Sequence, residues 1–452
     1  MDPVSHNSNE TCINGSDRHS STGKSIQERA NELFQNKEIL APMVRASSIP
    51  LRSLALSYGC DLVYTEEIID RAITSTDRIY NEKLKTIDYV KKKDTFSKKV
   101  LKRMEKNNEP LPCVLRIDPE LEKDKLIYQI GTGESNLALP AATMVANDVD
   151  GIDINCGCPK KFSVSGGMGA ALLEDLPRLC DIVTTLRRNL SIPVSCKIRL
   201  LKDDQQTVDF VSAIVKAGAN SVAIHGREPG DESQMAAKLD RLTNVVQLLK
   251  SSSIGVPVIL NGDLYTRNDI VNMRNKTGAD GVMLARPALY NTSIFRKPPV
   301  DEVPIEGEET RYGFDSKLLF DKTTVVQDYL RHSLRYEGHI KNIKYVVCEM
   351  MTNRRTPTGL TPWMPIQFSK GQCINDVCVS KTMDQLCKVW DVSTSLTPQS
   401  SIGNQASSDL HRYDDRYFLN PDALRKEREQ EQTTKLGQIE DEQRCTKKSR
   451  LG

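Results

Sequence analysis

The sequence predicts an α/β protein: a closed (β/α)8 barrel of the TIM type over residues 38–310, followed by a smaller helical domain over 320–392. Three observations lead there. Between Glu38 and Phe295 the chain alternates short apolar runs rich in β-branched residues with amphipathic stretches of helical length. Eight such runs occur, mostly 20 to 40 residues apart, which is the count a closed parallel barrel needs. From about Asp321 the apolar period becomes helical.

Residues 1–37 are rich in Ser and Asn and lack periodic apolar positions until Leu33 and Phe34, so they read as a disordered lead-in ending in a short helix. The eight runs follow: EILAPM (38–43), DLVYTE (61–66), LIYQIG (126–131), GIDINC (151–156), PVSCKIRL (193–200), SVAIHG (221–226), PVILNG (257–262) and GVMLAR (281–286). Polar or Gly residues stand just past each apolar core, among them Arg45, Glu66, Gln129, Asn155, Lys197, His225, Asn261 and Arg286, and barrel enzymes place their chemistry at that C-terminal rim. Between the second and third runs, DYV (88–90) and PCVLRI (112–117) read as an added hairpin. Its connection, Lys91 to Lys106, carries eight Lys and Arg against Asp94 and Glu105, as a solvated loop or a phosphate-contacting one. Two helices joined at Gly338 are expected next, studded with Arg331, Arg335, Lys341, Lys344, Arg354 and Arg355. Residues 393–452 read as a charged, mostly disordered tail, with a helix near 421–432 and a Lys447-Lys448-Ser449-Arg450 end that leaves a nuclear address open.

Composition narrows the function classes. Sixty-two Lys and Arg against 60 Asp and Glu give a net charge of +2, so a basic surface for nucleic acid has to be local. No run reaches the roughly 18 to 20 apolar residues of a membrane span, and no apolar signal core opens the chain, which predicts a cytoplasmic protein. The 12 cysteines form no CxxC pair and no His stands at finger spacing, which argues against disulfides and against a metal site.

The chemistry concentrates in residues 151–173, GIDINCGCPKKFSVSGGMGAALL. Alternation along the strand puts Asp153 and Asn155 on one face and brings Asn155 to the rim, just ahead of Cys158. Gly157 and Pro159 fix a tight turn that projects the thiol outward. Gly166, Gly167 and Gly169 let the backbone lie close to a planar ligand.

Asn155-Cys156-Gly157-Cys158-Pro159, with its glycine cluster ten residues on, resembles the signature of the dihydrouridine synthases, flavin enzymes that reduce uridine in tRNA. APMV (41–44), Glu66-Glu67, YQIGTG (128–133), CKIRL (196–200), IHGR (224–227), NGD (261–263) and LARPALYNTSIF (284–295) occur in the family's order. GCPKKFSVSGGMGAALL is most similar to the eukaryotic class acting at position 20 of the D-loop. That class often carries a double-stranded-RNA-binding module, for which the roughly 60 residues after Trp390 are too few.

The resemblance implies bound FMN, NADPH as a transient hydride donor, and tRNA as substrate. Cys158 becomes the proton donor to uracil C5, and a thiol of ordinary pKa, about 8.5, is protonated near neutral pH. Pro42, Met43 and Val44 would lie beneath the flavin, Gln129 at its pyrimidine edge, Lys197 near N1 and O2, and His225 against the ring. Barrels hold phosphate after strands seven and eight, which puts Asn261, Gly262, Asp263, Ala285 and Arg286 at the FMN phosphate. Asn155 and Arg199 would face uracil, while Arg331, Arg335, Lys341 and Lys344 would meet tRNA phosphates. GMGAAL (167–172) and GTGESN (131–136) lack the third glycine of a dinucleotide fingerprint, so NADPH would visit the open flavin face. The chain is expected to act as a monomer. Two rival readings stay open: an FMN barrel oxidoreductase acting on a small pyrimidine or enoate, and a catalytically silent tRNA-binding protein.

Overall fold

The computed structural model describes residues 23–297, 319–352 and 373–394. Residues 1–22, the barrel's end over 298–310, Arg354, Arg355, and the tail from 395 onward with its expected helix and basic end lie outside the described residues.

Eight parallel strands close a barrel: β1 (Lys37–Leu40), β2 (Leu62–Tyr64), β7 (Leu126–Gly131), β8 (Gly151–Asn155), β9 (Val194–Arg199), β10 (Ser221–His225), β11 (Val258–Asn261) and β12 (Gly281–Leu284). Closure is made twice, by Leu40 beside Leu284 and by Tyr64 beside Ile127. Every predicted run supplies one strand, as an all-parallel sheet with helices outside requires of its apolar segments. The helices begin and end on local signals. Asp203 caps Asp204–Ala217, which stops at Gly218, while Thr266 and Asp269 form a capping box for Arg267–Thr277.

A short helix closes the lead-in, as expected, but residues 23–37 are ordered and packed rather than part of a disordered stretch reaching to 37. Helix Ile26–Phe34 is capped by Ser25 and Glu28, and its Ala30 and Phe34 are buried against Ile39, Leu62, Tyr64, Ile127, Ala223, Ile259 and Met283 inside the barrel. Two buried apolar positions, too few to register as a period, suffice to plug the barrel's floor.

The insertion also differs from its prediction. It is a three-stranded antiparallel sheet, β4 (Thr76–Asn81), β5 (Thr86–Lys91) and β6 (Cys113–Ile117), following the short β3 (Ile68–Ile69). TDRIYN gave no apolar signal because four of its six side chains face solvent. Half of the 91–106 connection is helical, Lys98–Lys106, capped by Ser97 and seated on buried Met104.

The helical domain packs on the barrel through specific polar contacts. Helix Lys322–Arg335 carries Asp328, which accepts from Tyr58 Oη at 2.6 Å, and His332, whose Nδ1 lies 2.6 Å from Ser53 Oγ. Tyr336 then donates to Asp118 at 2.8 Å, and helix Ile340–Thr352 follows. Arg45, on the loop after β1, stacks 4.5 Å from the Tyr345 ring, so this second helix reaches the barrel rim.

Candidate active site

Strand register assembles the mouth. Gln129, Asp153 and Ser195 stand side by side on β7, β8 and β9. Nearer the rim come Asn155 beside Lys197, and Arg199 beside His225 beside Asn261. Pro42, Met43 and Val44 follow β1 on the same rim. Val44 is 46% exposed, an apolar surface at the edge of a recess otherwise built of polar groups.

The deeper layer is dry. Asp153 is fully buried and accepts from Gln129 Nε2 at 2.8 Å and from Ser195 Oγ at 2.7 Å. Burial pushes its carboxyl up to about 6, although both hydrogen bonds and Lys197 oppose the shift. Because Asp153 takes the Gln129 amide hydrogen, Gln129 Oε1 is left to accept from a ligand. Lys197 is pushed down to about 8, by burial first and then by Arg199, with Asp153 and Cys158 acting the other way.

Cys158 is projected as the sequence predicts, and Asn155 does the work. Its Oδ1 accepts from the N–H of Gly157 at 2.9 Å and of Cys158 at 3.1 Å, closing a turn that leaves the thiol half-buried at the rim. Its acceptor oxygen is thus committed to the turn, which leaves the uracil contact expected of Asn155 to its amide nitrogen. Gly169, at φ 60°, passes beneath: a Cβ there would lie 2.6 Å from Cys158 O and closer still to Ser163 Oγ. Burial raises the Cys158 thiol above its ordinary value, and the neighbouring Glu67 carboxylate adds to that.

Arg199 is likewise committed in part. Its Nε donates to Gly157 O at 2.7 Å and its Nη1 to Glu228 O at 2.9 Å, so it ties the thiol-bearing loop to the loop after β10.

Opposite the thiol lies a cationic wall. His225 Nε2 stands 3.1 Å from Arg227 Nη1, which can only donate, so the ring hydrogen belongs on Nδ1. Burial, then Lys197, Arg199, Arg227 and Arg286, hold this histidine well below its usual pKa and neutral at physiological pH. It therefore presents one N–H donor and no charge. Asp263, expected in the phosphate-binding loop, directs its carboxylate to arginines. Its two oxygens accept from Arg227 Nη2 and from Arg286 Nη2, both at 2.5 Å, and the first also accepts from Ala237 N–H at 2.7 Å. It fixes the two arginines. Arg286 also donates to Ser233 O at 2.7 Å, Ala285 turns the chain into the helix Arg286–Tyr290, and Asn261 Nδ2 donates to Met283 O at 2.8 Å beside Gly262. Arg227 is a site residue that sequence reasoning missed; its presence in IHGR was the available signal.

The predicted tRNA contacts separate into two kinds. Arg331 and Arg335 are exposed on one helix, the first beside Asp328 at 2.5 Å and the second 5.2 Å from the Tyr336 ring. Lys341 is exposed on the next. Lys344 is used internally, its Nζ donating to Cys378 O and Ser380 O at 2.5 and 2.8 Å and so joining helix Ile374–Val379 to its neighbour.

No group of His, Cys, Asp and Glu suited to a metal ion occurs among the described residues, and no described helix is long and apolar enough to cross a membrane. The donor set suits a planar anionic cofactor: a cation and a neutral N–H donor at the ring level, a free amide oxygen below, and paired arginines at the loops after β10 to β12.

Comparison with known proteins accords with this arrangement. A tRNA-dihydrouridine(20) synthase [NAD(P)+] of Schizosaccharomyces pombe is 35% identical over 325 residues, covering 70% of this chain and 60% of that protein. The protein of the same name from Saccharomyces cerevisiae is 32% identical, covering 71% of this chain and 78% of that one. A tRNA-dihydrouridine(20a/20b) synthase [NAD(P)+] of S. cerevisiae is 31% identical over 57% of this chain and 61% of its own length. The family model described as dihydrouridine synthase (Dus) matches residues 39–354, through the whole described barrel and into the helical domain, and the chain therefore belongs to the dihydrouridine synthase family.

Proposed function

We propose that the protein reduces the 5,6 double bond of a D-loop uridine in tRNA, at position 20, with Cys158 as proton donor. The observation that carries this reading is the half-buried thiol held by Asn155 beside Lys197, across the barrel mouth from the Arg227–Asp263–Arg286 group. The similarity to the two yeast position-20 enzymes supports the substrate and its position.

FMN fits the donor set, and when bound and recharged by NADPH it supplies the hydride for uracil C6. Lys197 would stabilise negative charge on it, Gln129 Oε1 would accept from its imide N–H, His225 Nδ1–H would donate to a carbonyl, and Arg286 would balance its phosphate. Pro42, Met43 and Val44 would form its apolar bed.

Cys158 completes the addition. Its S–H bond breaks as the C5–H bond forms, leaving the sulfur pair as thiolate, to be reprotonated from solvent. A stacked uridine cannot enter a barrel mouth, so the base has to be drawn out of the tRNA. Arg331, Arg335 and Lys341 are exposed cations that would meet its phosphates, the first two while paired with Asp328 and Asp118. Action on tRNA accords with work in the cytoplasm or the nucleus, and we read the chain as acting as a monomer.

The test is incubation of the full chain with FMN, NADPH and unmodified tRNA, followed by mass spectrometry of D-loop fragments. A 2-dalton gain at position 20 is expected. Reduction of free uracil or an enoate with tRNA unchanged would favour the small-substrate oxidoreductase, and RNA binding with no reduction would favour the silent binder.

A further inference from the structure

Glu67 stands beside the proposed proton donor and has no role in the account above. It lies on the connection between β2 and β3, next to Glu66, whose Oε2 is occupied by the N–H of Arg45 at 2.8 Å. Its own carboxylate turns toward the thiol loop. Ser163 Oγ is 3.5 Å from Oε1, and the side chains of Cys158 and Asn155 are close enough to interact with the carboxylate. Oε2 is buried yet has no hydrogen-bond partner among the described residues. A buried carboxylate oxygen without a donor is costly, so a hydrogen-bond donor beside it gains by turning toward it.

Gly131 makes this placement possible. A Cβ at that position would sit 2.7 Å from Glu67 Oε1, so any larger residue at the end of β7 would displace the carboxylate.

We propose that Glu67 is a positioning residue that keeps Cys158 in the neutral thiol form, its carboxylate accepting the S–H and opposing a second negative charge on the sulfur. The groups facing Cys158 oppose one another. Glu67 disfavours the thiolate, while Lys197 and Arg199 on β9 and the hydroxyl of Ser163 favour it. Burial contributes most to holding the thiol neutral and Glu67 adds to it, so without Glu67 burial alone opposes the cations, the thiolate share rises, and a thiolate cannot protonate C5. Burial raises the Glu67 carboxyl itself, consistent with a group that can share a proton with its neighbour.

This inference rests on the reading of Cys158 as proton donor, but its test needs neither tRNA nor flavin. The full chain is alkylated with iodoacetamide between about pH 6 and 10, and the Cys158 peptide is quantified by mass spectrometry, with exposed Cys373 and Cys378 as internal references. Glu67→Gln should speed Cys158 alkylation near neutral pH by about tenfold, the effect of a one-unit fall in thiol pKa, and leave the references unchanged. Gly131→Ala retains the charge but displaces it, and should shift the profile the same way; it decides the matter alone if Glu67→Gln does not fold. An unchanged Cys158 profile in a variant with wild-type thermal stability overturns the proposal. A shifted profile together with a wild-type protein that reduces no uridine would leave the Glu67–Cys158 coupling standing and remove the proton-donor reading.

Discussion

The two sides of the barrel mouth are built on opposite terms. On the side of β2 and β8, the thiol loop rests on one asparagine, a half-buried cysteine and a carboxylate with an unpartnered oxygen. On the side of β10 to β12, Arg227, Asp263 and Arg286 form a chain of ion pairs, the first of them buried, with backbone carbonyls at both ends. The difference separates two tasks. Groups that move protons have to keep unsatisfied valence, whereas groups that receive a fixed anion are best held rigid before it arrives.

Three substitutions break or sharpen that contrast. The largest effect is expected for Cys158→Ser, which should lower uridine reduction by about 10²–10⁴-fold with no change in thermal midpoint, measured by dihydrouridine formation. Retained activity would mean that the thiol side handles no proton.

Asp263→Ala strikes the rigid side. It leaves Arg227, which is 3% exposed, without its counter-charge, and should cost about 3–5 kcal/mol in urea unfolding as well as weakening FMN retention. Wild-type stability would show that the arginines are held by the backbone carbonyls alone.

The smallest effect is a pH dependence. Lys197, pushed down to about 8, is charged below that value and neutral above it. FMN affinity, followed by flavin fluorescence, should therefore fall by up to about tenfold between roughly pH 7 and 9, and Lys197→Met should flatten the profile. The stability linkage has the opposite sense. The unfolded chain binds this proton more tightly, so the penalty on folding is full below the folded pKa and fades between pH 8 and the ordinary lysine value of 10.5.

Legibility in the sequence followed burial. The eight barrel strands were readable because both faces of a parallel sheet are covered and its segments are continuously apolar. β4 was not, since its exposed residues obey no hydrophobic rule, and the short helix at Ile26–Phe34 was foreseen without its seat in the barrel, because two buried positions do not name their partners. Among site residues, Cys158 was marked by its glycine setting. The cations were harder to read, because a lysine facing RNA and a lysine donating to two carbonyls, such as Lys344, are written with the same letter.

The linear chain determined the strand count, the rim position of each polar residue and the family signature around Cys158, all of which depend on local order and spacing. The tertiary structure alone decided that Asp263 binds arginines, that Arg199 fastens the thiol loop and that Glu67 reaches Cys158. These pairings join residues 36, 42 and 91 positions apart, brought together by closure of the barrel; a charged side chain has no fixed partner until the strands that carry it have been set side by side.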